Sequence, residues 1–102
     1  MILLELSISP LDKGESVGEY VARALDVIDR SGVPYRLNPM GTVMEGEWDE
    51  VMAVCRACLD ALSTDCRRVS MAIKIDYREG PGGRIEEKTR TVSRHLGRDL
   101  AE

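Results

Sequence analysis

Tyr35 to Trp48, YRLNPMGTVMEGEW, lies near the middle of the chain, and its reading decides the fold. Asn38-Pro39-Met40-Gly41 stands between two short runs that contain strand formers, Tyr35-Arg36-Leu37 and Thr42-Val43-Met44. Proline fixes φ and glycine admits positive φ, so this tetrapeptide is turn chemistry and the stretch predicts a β-hairpin. Glu45-Gly46-Glu47 then leads through Trp48 into a helix. A threonine, an asparagine and a glutamate near one turn are also candidates for reading a small polar ligand.

Working outward, Val33 to Leu37 and Thr42 to Gly46 are the two strands of the hairpin. Pro34 suggests that the first of them begins near an edge. Upstream, Ile2 to Ile8 alternates, with Leu4, Leu6 and Ile8 on one face and Leu3, Glu5, Ser7 and Ser9 on the other. Pro10 is expected to end this strand. Ser16-Val17-Gly18-Glu19 fits a capping box. It opens a helix whose Val17, Tyr20, Val21, Ala24, Leu25 and Ile28 follow the 3.6-residue period as far as Ser31-Gly32. Downstream, Trp48 to Leu62 carries an apolar stripe of Val51, Val54, Cys55, Cys58 and Leu62, with Asp49 and Glu50 in its first turn. Arg67 to Asp76 alternates as a strand, Glu79 to Gly83 breaks the chain, Ile85 to Leu96 reads as a last, mostly polar helix, and Arg98 to Glu102 is a tail.

The order β-α-β-β-α-β plus a terminal helix is the α+β, split-βαβ or ferredoxin-like arrangement. It predicts a four-stranded antiparallel sheet with two helices on one face, in a single domain spanning 1–102. The core would run over about 2–77 and the C-terminal helix over about 85–97. The opposite sheet face would carry Glu5, Ser7, Lys74 and Asp76 around Ala72. A bare face of that mixture suits a subunit interface, so a homo-oligomer is expected.

At 102 residues a modest core is possible, and with 43% apolar residues and no Phe it must be mainly aliphatic. The net charge of −4 argues against a nucleic-acid partner, which needs a basic face. No apolar run approaches the roughly 20 residues of a membrane span. Met1 to Leu4 lacks the basic flank of a signal peptide and is interrupted by Glu5. Cys55, Cys58 and Cys66 are an odd number, which fits a reducing compartment. A cytoplasmic protein without a membrane partner is the expectation.

Three groups of segments carry a resemblance: LELSISP, GESVGEYVARALDVIDRSGVPYRLNPMGTVMEGEWDEVM and RVSMAIKIDYR. In order and spacing they resemble the thiamine-binding, YkoF-like family, from Ile2 to about Leu96. The resemblance implies a ferredoxin-like fold and non-enzymatic binding of thiamine or its hydroxymethylpyrimidine part, with a role in vitamin salvage, transport or sensing. It also implies dimers or tetramers. By resemblance the pyrimidine site draws on the first strand and the hairpin, at positions Ser7, Ser9, Tyr35, Asn38, Met40, Gly41, Thr42 and Glu45.

An aminopyrimidine offers ring-nitrogen acceptors and an amine donor, which carboxylate, hydroxyl and amide groups can meet. Each residue has a plainer reading as well. Glu45 could be a solvated acid leading the helix, Thr42 a strand former, Asn38 a turn residue, Ser7 an interface hydroxyl, and Tyr35 and Met40 core. Lys74 and Asp76 read best as a cross-subunit ion pair. Cys55-Arg56-Ala57-Cys58 lies mid-helix within an apolar stripe, which suits packing rather than redox work. Neither a catalytic constellation nor a metal set or cofactor motif is visible. The rivals are an oligomeric interaction module without a small-molecule ligand and an enzyme of unrecognised type, which topology alone does not exclude.

Overall fold

The computed structural model describes residues 1–101. Glu102, the end of the expected tail, lies outside the described residues. The elements are β1 (Ile2–Pro10), α1 (Gly18–Ser31), β2 (Tyr35–Asn38), β3 (Gly41–Gly46), α2 (Trp48–Ser63), β4 (Val69–Tyr77) and α3 (Arg84–Leu96). The sheet is antiparallel in the order β2-β3-β1-β4, the ferredoxin-like arrangement with a C-terminal helix.

β1 is the spine. It pairs with β3 from Ile2↔Gly46 to Leu6↔Thr42, and with β4 along its whole length from Ile2↔Tyr77 to Pro10↔Val69. Its even residues Ile2, Leu4, Leu6 and Ile8 face the helices and are buried. With Met44 they pack against Ala24 and Ile28 of α1 and the Val51, Val54, Cys55, Cys58 and Leu62 stripe of α2. Cys55 and Cys58 therefore serve as small core hydrophobes. Burial pushes both thiols up, Cys58 to about 11, so they stay protonated at neutral pH.

Three details depart from the sequence reading. The strand runs beyond Ile8 and ends at Pro10, which it includes. Leu11 N–H donates to the Arg68 carbonyl and Arg78 N–H to the Met1 carbonyl, so odd residues of β1 turn their main chain toward β4 and even residues toward β3. The nitrogen of Pro10 thus faces the side where β3 has already ended, and no ladder bond is lost.

The second departure is that Ser16 does not cap α1. Val17 is the N-cap, without a side-chain bond. The capping box belongs instead to α2, where the Glu47 side chain accepts from the Glu50 backbone and Glu47 N–H donates to Glu50 Oε1 at 3.0 Å. A glutamate in the N-cap position is why the Ser/Thr pattern missed it. The C-terminus of α1 does follow the reading, with Gly32 at φ +82°.

The third concerns the open sheet face, which is partly covered by this chain's own α3. Asp76, expected to pair across subunits, meets Arg84 of its own chain (Nη2 to Oδ2, 2.7 Å), and Arg36 of β2 meets Glu86 at 2.8 Å. Beyond that first turn α3 projects outward, giving the molecule extents of 47 × 29 × 20 Å.

The helices are clipped together by Arg23 of α1, which meets Asp65 after α2 with both prongs (2.6 and 3.2 Å) and also donates to the Ala61 carbonyl at 3.2 Å. The guanidinium holds the Asp65 carboxyl below the usual carboxylate range. A carboxyl lowered on folding stabilises the fold above its unfolded pKa, and that contribution disappears as pH falls through the folded value. The melting-temperature difference between the wild type and Asp65→Asn should therefore be fully developed at pH 7 and shrink in acid, once the pH falls below the ordinary carboxylate value of about 3.9. Thermal melts at neutral and acid pH check this, and a difference that persists in acid would refute it.

Candidate functional site

A cavity of about 200 Å³ lies on the helix side of the sheet, where the hairpin tip meets α1. It exists because the β1–β3 ladder ends at Leu6↔Thr42 while β1 runs on beside β4. The hairpin turn needs no positive φ, although a two-residue loop usually takes it. Gly41 is small for another reason: a Cβ there would sit 3.2 Å from the Leu6 carbonyl oxygen and 3.3 Å from Glu5 Cγ. A larger residue would force the tip away from β1.

The walls are Leu6, Ile8, Val21, Leu25, Ile28 and Leu37. Asn38, Pro39, Met40, Gly41 and Thr42 supply the hairpin side, and Ser7 and Ser9 also line it. Strand alternation turns the Ser7 and Ser9 side chains to the other face of the sheet, so their contribution is main chain. Ser9 Oγ has only a long 3.5 Å contact with the adjacent Pro10 carbonyl. Thr42, 3% exposed, points into the helix-side layer opposite Leu6. Met40 is 87% exposed at the mouth.

The cavity has a polar edge that the sequence did not reveal. By the alternation described above, Ile8 turns its N–H and C=O toward the hairpin, past the last β1–β3 pair, and so has no ladder partner there. A donor and an acceptor thus stand side by side at one end of an apolar slot.

Two of the expected ligand residues sit elsewhere. Tyr35 donates its hydroxyl to Asp29 Oδ1 at 2.9 Å, and this bond and the aspartate's charge push the phenol's ionisation upward. Glu45 is on the opposite sheet face, 5% exposed, and its carboxylate accepts from the N–H groups of Gly83 and Arg84, each at 2.9 Å. Its role there is to cap α3. The cavity walls from α1 were legible only as core, since a stripe such as Val21, Leu25 and Ile28 looks the same whether it meets side chains or a slot. Among the described residues no three His, Cys, Asp or Glu side chains converge as metal ligands, and no helix is long and apolar enough to cross a membrane.

Residues 4–93 match the family model described as thiamine-binding protein. The chain belongs to the thiamine-binding protein family. A UPF0045 protein of Mycobacterium bovis is 42% identical over 96 residues, covering 93% of this chain and 94% of its own. A UPF0045 protein of Methanocaldococcus jannaschii is 35% identical over 91 residues. The crystal structure of a hypothetical protein from that organism superposes with a TM-score of 0.83 over 90% of this chain and 95% of its own, at 35% identity. A Thermotoga maritima structure, given as a candidate thiamine biosynthesis/salvage protein, superposes with a TM-score of 0.78 at 26% identity, covering 89% of this chain and 97% of its own.

Proposed function

We propose that this protein is a non-enzymatic binder of thiamine or its hydroxymethylpyrimidine moiety, acting in salvage, transport or sensing, and that the hairpin cavity is its site. The observation that carries the reading is the free main-chain pair of Ile8 at the end of an apolar slot. An aminopyrimidine edge places an amine donor beside a ring-nitrogen acceptor, the complement of one C=O and one N–H. In this reading the Ile8 carbonyl accepts from the amine, the Ile8 N–H donates to the ring, and Thr42 and Asn38 meet the remaining polar groups. Val21, Leu25 and Ile28 enclose the ring. A 200 Å³ slot is below the ~300 Å³ at which drug-sized pockets begin, so it suits one substituted ring with the remainder of thiamine reaching out past Met40.

Thermal melting with thiamine, and separately with hydroxymethylpyrimidine, tests this. A native-state ligand at a hundredfold excess over its Kd stabilises by about 2.7 kcal/mol. Thr42→Val keeps the shape and removes one hydroxyl, so binding should weaken roughly three- to tenfold with the unliganded melt nearly unchanged. A flat response to both compounds at millimolar concentration, with the protein folded, would sink the thiamine reading.

The protein works as a dimer or tetramer in this reading, with a second copy on the open sheet face. Support comes from α3, whose Val92 and Leu96 are exposed along the projecting helix, followed by Leu100. A monomeric mass by light scattering would remove this part.

A further inference from the structure

Arg84 is nearly sealed from water, at 7% exposure, although it opens the projecting helix. Its backbone N–H goes to Glu45 and its Nη2 to Asp76. Its Nη1 has no hydrogen-bond partner among the described residues and no appreciable contact with solvent. A buried guanidinium nitrogen without an acceptor is costly, and folded proteins leave few such groups unmet. Beside it runs a groove of about 350 Å³ between the first turns of α3 and strands β1 and β4, lined among others by Leu3, Arg78, Arg84 and Lys88.

We propose that this groove is a second ligand site, which takes a small oxyanion, a carboxylate or a phosphate, with Arg84 Nη1 as its central donor. Guanidinium N–H groups match the planar or tetrahedral oxygens of such anions, and bonds between opposite charges are the strong ones. Arg78 and Lys88 add positive charge at the rim, against Asp76 and Glu87. Asp76 is already engaged with Nη2 and the Glu45 carboxylate with the Arg84 backbone N–H, so both neighbouring carboxylates are committed elsewhere and the unmet donor at Nη1, rather than a net positive charge, is what an anion would answer. An anion reaching Nη1 must displace a rim side chain. Arg78, Glu87 and Lys88 are exposed, and long side chains there turn readily. The groove is on the opposite sheet face from the hairpin cavity, the face proposed above to meet a second copy, so sedimentation is followed alongside the titration.

Amide and arginine side-chain NMR on the 15N-labelled protein tests the proposal, with sodium phosphate and sodium acetate titrated separately at constant ionic strength. Saturable shifts are expected at the Arg84 Nε–H and at the amides of Gly83, Arg84 and Lys88, with Gly41 and Thr42 unmoved. The stronger of the two titrations assigns the anion class. Lys88→Ala changes an exposed residue outside the core and should weaken binding roughly fivefold. Arg84→Lys keeps a charge but loses the fork and should weaken it more. Shifts that stay linear, or saturation that Lys88→Ala leaves unchanged, would overturn the site. So would shifts that follow a change in sedimentation coefficient, since the partner of Nη1 would then come from a second copy.

Discussion

Glu45→Ala should lower the unfolding free energy by about 3 kcal/mol and release α3, while leaving the hairpin cavity able to bind. The carboxylate accepts two backbone hydrogen bonds in a nearly sealed position, from Gly83 and Arg84. Hydrogen bonds to a charged group are worth about 1.5–3 kcal/mol each, and removing the acceptor leaves the donors unmet. No alternative acceptor follows in the sequence, because Gly83 is the N-cap of α3 and brings no side chain. Glu45→Gln keeps one accepting oxygen and should fall between the two. Urea unfolding followed by circular dichroism gives the free energies, and hydrogen exchange over residues 84–96 reports the helix. Wild-type stability in Glu45→Ala would show that α3 is held by something else. Loss of ligand binding in a folded Glu45→Ala would return this residue to the binding site.

Leu4→Ala should cost about 3–4 kcal/mol, at the centre of the range for buried leucines. Leu4 is 0% exposed on the central strand, flanked by Met44 on one side and Ile75 on the other. Rigid ladders hold both neighbours, so the cavity left behind has little means of collapsing. Domains of this size have roughly 5–15 kcal/mol to lose, and 1 kcal/mol corresponds to about 4–8 °C in Tm. A drop of about 15–25 °C is expected by calorimetry. Leu4→Met preserves volume and should cost less than about 1.5 kcal/mol. Equal losses in both variants would mean that the layer tolerates no shape change at all, contrary to this account.

The sheet and its two covering helices were legible because their periods are clean. Leu4, Leu6 and Ile8 alternate, Ala24 and Ile28 recur at helical spacing, and Gly32 marks a stop that only a left-handed residue makes easily. Boundaries failed where a residue's role depends on what stands beside it. Pro10 could remain in a strand because its nitrogen faces an absent neighbour, which no local pattern encodes. Glu45 looked like a ligand for its position beside the turn, and only the return of the chain 38 residues later turns it into a helix cap. The cavity itself was half legible. The hairpin and Thr42 stood out as polar groups near a turn, but the Ile8 main-chain pair depends on where a ladder ends, and that is set by the register of two strands far apart in sequence.

The central position of β1 also governs the order in which the chain can acquire structure. β1 is made before both of its partners, residues 42–46 on one side and 69–77 on the other. Ile2 cannot meet Tyr77 until both helices between them, and β4 itself, have emerged. Until then the strand that buries Ile2, Leu4, Leu6 and Ile8 offers a bare edge beside a finished hairpin. The nascent chain therefore passes through a stage in which it could pair with a neighbouring chain as readily as with its own β4. Assembly of this sheet is a race between translation of the last strand and capture of the first.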